Sequence, residues 1–103
     1  MESIIDGIEA IQWAKEISKI PDGVFTVAFF SYSSQRRMSS DKLTVKEGCK
    51  MRAQMPNEKI EIDSDNLFLF TDGKGQPRMC YRYLIRFMAF PNDGFKMHKI
   101  NWL

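Results

Sequence analysis

Residues Val24 to Tyr32 read VFTVAFFSY, a run that is β-branched or aromatic with apolar residues on both parities. A strand with one wet face alternates apolar and polar residues, so this run predicts a central strand covered on both sides, the heart of a sheet. The chain has 103 residues and no stretch with linker character, which makes residues 1–103 a single domain. Hydrophobic residues are 44% of it and aromatic residues 13%, enough apolar surface to offset the entropy lost on ordering.

The segment before this strand has a different period. At 100° per residue Ala10, Ile11, Trp13, Ala14, Ile17 and Ile20 share one half of a helical cylinder, opposite Glu9, Gln12, Lys15, Glu16 and Lys19. The spacing predicts an amphipathic helix from Ser3 to Lys19, opened by Ser3 and Asp6 as a capping box with Asp in place of Glu. Pro21-Asp22-Gly23 forces its stop. Ile4, Ile5 and Ile8 fall toward its polar side. Either they cover a second surface or this stretch departs from regular helix, and Gly7 favours the second reading.

Ser33 to Asp41 is polar and aperiodic and reads as an exposed, mobile loop. Over Leu43 to Met55, Leu43, Val45, Cys49, Met51, Ala53 and Met55 share one parity. Thr44, Lys46, Lys50, Arg52 and Gln54 share the other, with Gly48 marking a bulge or bend between two shorter strands. After a turn at Pro56-Asn57-Glu58, Ile60 and Ile62 alternate with Glu61 and Asp63. Leu67-Phe68-Leu69-Phe70 forms a short strand ending in a hairpin loop at Asp72 to Pro77. Arg78 to Phe90 fits strand or helix by period, and its Tyr, Phe and Ile content favours strand. Phe90-Pro91-Asn92-Asp93-Gly94 turns the chain back into a last strand, Phe95 to Trp102. The fold class is therefore α+β, an N-terminal amphipathic helix followed by a mostly antiparallel five- or six-stranded sheet that could curl into a barrel.

The first residues lack the basic start and apolar run of a signal peptide, and no apolar stretch approaches the ~20 residues of a membrane helix, so a cytoplasmic, soluble protein is expected. Cys49 and Cys80 are too few for a disulfide framework and lack metal spacing; buried free thiols are expected. The net charge of +2 conceals alternation: residues 1–35 and 53–77 are acidic on balance, residues 36–52 and 78–103 basic. Such blocks can pair across a sheet.

Chemistry-bearing residues are scarce. The single histidine, His98, would act as a general base only beside an orienting carboxylate and a nucleophile, and spacing identifies neither. A Cys49–His98 dyad is opposed by the apolar parity of Cys49. Glu61, Asp63 and Asp65 could share a face toward a divalent cation, but Phe68 stands where the bend of a calcium loop needs glycine, and a solvated strand end is the simpler reading. Gly73-Lys74-Gly75 lacks the spacer of a phosphate loop, and Arg36-Arg37-Met38-Ser39 is an ordinary loop string. No catalytic, metal or cofactor site and no small-molecule substrate is therefore expected.

The constellation left is basic: Lys46, Lys50 and Arg52 on one strand and Arg78, Arg82 and Arg86 on another, with Arg36 and Arg37 between the first two strands. Clustered on one sheet face they would track phosphates, although Tyr81, Tyr83 and Phe87, being odd-numbered, would point away from the arginines.

At Gly48 to Pro56, Asp63 to Phe70, Met79 to Phe87 and Phe90-Pro91-Asn92-Asp93 the sequence resembles short uncharacterised proteins encoded in bacterial prophages and integrated mobile elements, over roughly residues 23–103. The resemblance implies a mobile-element context, with a virion or assembly role, and carries over no functional residue. The expected function is a non-enzymatic structural or protein-interaction module, self-association included. The alternative is a nucleic-acid-binding accessory protein using Lys46, Lys50, Arg52, Arg78, Arg82 and Arg86.

Overall fold

The computed structural model describes residues 3–33, 38–53 and 66–102, with backbone alone for 31–33 and 38–42. Its elements are β1 (Ile4–Asp6), α1 (Gly7–Ser18), β2 (Phe25–Ser33), β3 (Met38–Met51), β4 (Leu67–Thr71), β5 (Pro77–Tyr81), β6 (Ile85–Ala89) and β7 (Met97–Asn101). They form one sheet in the order β1-β7-β6-β2-β3-β4-β5, with β2 central as its two-sided apolar run predicts.

Several expectations need correction. The sheet has seven strands rather than five or six, is mixed because β1 runs parallel to β7, and stays open, with β1 and β5 as edges. Ile4 and Ile5 belong to that first strand, so their misfit to the helical stripe is a real departure from helix: Ile5 pairs with Ile100 in the core. The helix consequently starts later than Ser3. Asp6 caps it, its Oδ2 accepting from the backbone N–H of Ile8 and Glu9 at 3.2 and 3.4 Å. The polar segment expected to be loop is partly strand, because Tyr32 and Ser33 pair with Ser39 and Met38 and hairpin pairing overrides weak local propensity. Arg78 to Phe90 is two strands, not one. A 3-10 turn at Arg82–Leu84 separates β5 from β6 and sends them to opposite parts of the sheet. The expected alternation at residues 60–63 lies outside the described residues.

Pairing fixes which side chains share a face. Phe25, Val27 and Phe29 of β2 point inward with Cys49, Ile85, Met88, Phe90 and Ile100, against the buried stripe Ala10, Ile11 and Ala14 of α1. Phe68 and Phe70 of β4 meet Phe25 and Phe29 edge to face, with centroids 5.8 and 5.9 Å apart, although β3 lies between β4 and β2 in the sheet. The sheet must therefore bend over its own inner face, so that helix and β4–β5 hairpin together close the core.

The bend starts at Gly48. Phe25 pairs with Cys49 but Val27 with Lys46, so β3 carries an extra residue there, and Gly48 has φ +65°. A Cβ on Gly48 would lie 3.2 Å from the Gly73 Cα, since the tip of the β4–β5 hairpin packs on the bulge. Each fully buried Phe in this core contributes roughly 1.5–3 kcal/mol of apolar burial.

Candidate interaction surfaces

The bulge that bends β3 also reverses its parity. Val45 pairs with Ala28 on the outer face while Lys46 pairs with Val27, so Lys46 and Lys50, which strict alternation puts on one face, lie on opposite ones. None of the basic positions joins into a single stripe. Lys50 donates from Nζ to the Ile20 carbonyl (2.8 Å) at the end of α1. Arg52 donates to the carbonyls of Phe70, Ala53 and Arg78, bracing β3 against β4 and β5. Arg78 bonds Asp72 at 3.1 Å, and Arg86 lies over the Phe30 ring at 5.7 Å. Lys46 and Arg78 share a hollow of about 360 Å³ with Glu47, Asp72 and Lys74, in which both signs are present. Arg82 sits on the 3-10 turn. Arg36, Arg37 and Gln54, and the acidic trio Glu61, Asp63 and Asp65, lie outside the described residues.

What the register does assemble is an apolar outer face. One row crosses five strands as Ile4, Lys99, Phe87, Ala28 and Val45, and a second runs Met97, Ala89, Thr26. Ile4 is 60% exposed, Val45 50% and Met97 43%, while Phe30, Leu43 and Phe87 are half-buried beside them. Ala28, Ala89 and Thr26, the short side chains of these rows, are buried.

A separate groove of about 630 Å³ runs between α1, the end of β3 and the 3-10 turn. Its apolar wall is Ile8, Ile11, Met51 and Ala53, and its charged lining is Lys15, Lys19, Arg52 and Arg82. Ile8 is 71% exposed there. A smaller cavity of about 190 Å³, lined by Asp6, Tyr83 and Trp102, continues the groove past Ile8 and Arg82. Trp102 is held by its indole N–H on the Ile85 carbonyl (2.9 Å) and packs on Gly7 so closely that a Cβ there would fall 2.3 Å from the ring.

His98 has the two neighbours that sequence spacing does not identify. Ser3 Oγ is 2.6 Å from Nδ1, and Nε2 contacts Asp93 Oδ2. A carboxylate only accepts, so Nε2 carries a proton and donates to Asp93, while Nδ1 and the Ser3 hydroxyl share the second hydrogen bond. The connectivity is that of a Ser–His–Asp relay, but the ring is buried beside Phe90, and none of the three cavities above includes any of the three residues. With the Ser3 carbonyl accepting from the Lys99 N–H (2.8 Å), the cluster clamps the start of β1 to β7 and to the β6–β7 turn.

Both cysteines are free and buried, and burial pushes each thiol up to about 12, with the Asp72 carboxylate adding to the effect at Cys49 and Cys49 itself adding to it at Cys80. Neither is a thiolate near neutral pH. Asp72 shifts the other way: the Gln76 backbone N–H, then the Arg78 guanidinium and the Lys74 N–H, hold its carboxyl below the usual range against the partial burial that would raise it.

Among the described residues no helix is long and apolar enough to cross a membrane. No family model, curated protein or solved structure matches the chain. Sequence reasoning missed Ser3 and Asp93 as partners of His98 and the grouping of Lys15 and Lys19 with Arg52 and Arg82. Only the off-stripe position of Ile8 signalled the groove.

Proposed function

We propose that this domain is a non-enzymatic protein-interaction module whose binding surface is the outer face of the sheet, consistent with a structural or assembly role of the kind its resemblance to prophage-encoded proteins implies. The observation that carries the reading is the row Ile4, Lys99, Phe87, Ala28, Val45, apolar but for Lys99, which leaves Ile4 and Val45 in water on the side opposite the helix. Exposed apolar side chains gathered on one face mark association sites, and pairing them with another protein, a second copy included, removes them from solvent.

Light scattering on a dilution series, with affinity capture by wild type and Ile4→Lys side by side, tests this. An oligomer that persists on dilution, or proteins captured by wild type and lost with Ile4→Lys, is the expected result. A strict monomer whose captured set is the same with and without the lysine contradicts it.

The nucleic-acid alternative draws support from the four cations of the groove. Against it, the basic positions are divided between carbonyl braces, an ion pair and opposite faces. It requires binding to DNA or RNA that weakens as salt rises; no binding at low salt removes it.

A further inference from the structure

We infer that the groove between α1 and the Arg82–Leu84 turn is a second, independent docking site, and that its occupant is a short acidic segment of a partner protein carrying apolar side chains. The argument is charge complementarity over an apolar floor. Among the described residues, every charged side chain lining the main groove is cationic: Lys15 and Lys19 from the helix, Arg52 from the end of β3, Arg82 from the turn. Of the described carboxylates nearby, Asp6 lines the smaller cavity beyond and is engaged as the helix cap, and Glu16 pairs with Lys19.

Two of the cations are placed by the fold. Arg52 is held by the carbonyls of Phe70, Ala53 and Arg78 among its contacts, and Arg82 lies where the two cavities meet. Lys19 is shared with Glu16 in an exposed pair, which is weak and exchangeable. Ile8, exposed between the cavities, and Met51 on the floor offer apolar contact that a free phosphate or a nucleic-acid backbone would not use. The floor is aliphatic, not an aromatic platform for bases. The site is concave, whereas a membrane surface would be met by a convex basic patch. A peptide with carboxylates flanking Leu or Ile satisfies both the rim and the floor, the pattern of apolar anchors in a groove with charges setting orientation.

The test uses fluorescence anisotropy of a short labelled peptide alternating Glu with Leu, titrated with the full chain, beside a Glu→Gln version, a Leu→Ser version, an RNA oligonucleotide and vesicles of anionic lipid. Binding of the Glu–Leu peptide that falls with salt, and falls by about fivefold or more in Lys15→Glu and in Ile8→Ser, is expected. Both positions are exposed, so unchanged melting temperatures separate lost binding from lost fold. Arg82→Gln should weaken the same peptide while leaving any oligomer formed through Val45 intact, which distinguishes this site from the sheet face. Absence of peptide binding, equal binding of the Glu→Gln peptide, insensitivity to Lys15→Glu and Ile8→Ser, or tighter binding of RNA or vesicles overturns the inference.

Discussion

The two faces of β2 are both apolar, yet the chain treats them differently. Phe25, Val27 and Phe29 look inward and are sealed by α1 on one side and by Phe68 and Phe70 on the other. Thr26, Ala28 and Phe30 look outward, where the described residues place no second layer. Apolar residues on both parities thus state that both faces are to be kept from water, but not that one chain supplies both covers. On the proposed reading, the difference between the faces is the difference between a core and a surface that another protein covers.

The largest effects should come from opening the sealed side. Phe70→Ala removes an aromatic from the point where the curled sheet meets β2 and should cost about 3–5 kcal/mol in denaturant unfolding, whereas Phe87→Ala on the outer face should cost about 1 kcal/mol. Comparable losses would erase the distinction. Gly48→Ala comes next: it forces a left-handed residue to carry a Cβ 3.2 Å from the Gly73 backbone, for an expected loss of about 1–3 kcal/mol in the same assay.

Asp72 orders the hairpin that brings β4 over the core, and its contribution depends on pH. Because its folded pKa is lowered, the stabilisation is complete above the ordinary carboxylate range and is lost as pH falls through the folded value. Acid unfolding of Asp72→Asn should therefore start from a lower plateau near neutrality and converge with wild type as pH drops. Parallel curves would mean that the carboxylate contributes nothing. A probe with no stability cost follows from the thiols. Cys49 and Cys80, buried and pushed up to about 12, should react with a thiol reagent only as fast as the protein opens, while a Val45→Cys variant reacts at once.

Local periodicity made much of this readable. The helical stripe, the central strand, the hairpin at Asp72 and the turn at Pro91 to Gly94 each follow from residues within a few positions of one another. What escaped was set by partners far along the chain. The parallel pairing of Ile4 with Lys99 made a strand of three residues where the off-stripe isoleucines marked only a departure from helix. The 3-10 turn at Arg82 divided a segment that composition joins, and one extra residue at the Gly48 bulge moved Lys46 to the face opposite Lys50. The expected basic stripe depended on strict alternation through that bulge. The His98 cluster joins Ser3 to a ring 95 residues away, a closeness only the folded sheet creates.

The most direct measurement on the outer face is sedimentation equilibrium of Val45→Lys and wild type, with the melting temperature of each taken in parallel. Val45 is half exposed and belongs to the outer row, so lysine there should change stability by no more than about 0.5 kcal/mol while abolishing any assembly formed by wild type or its capture of a partner. A Val45→Lys protein that assembles and captures partners as wild type does, or one whose melting temperature collapses as a core variant's would, contradicts the division of the sheet into a sealed face and a docking face.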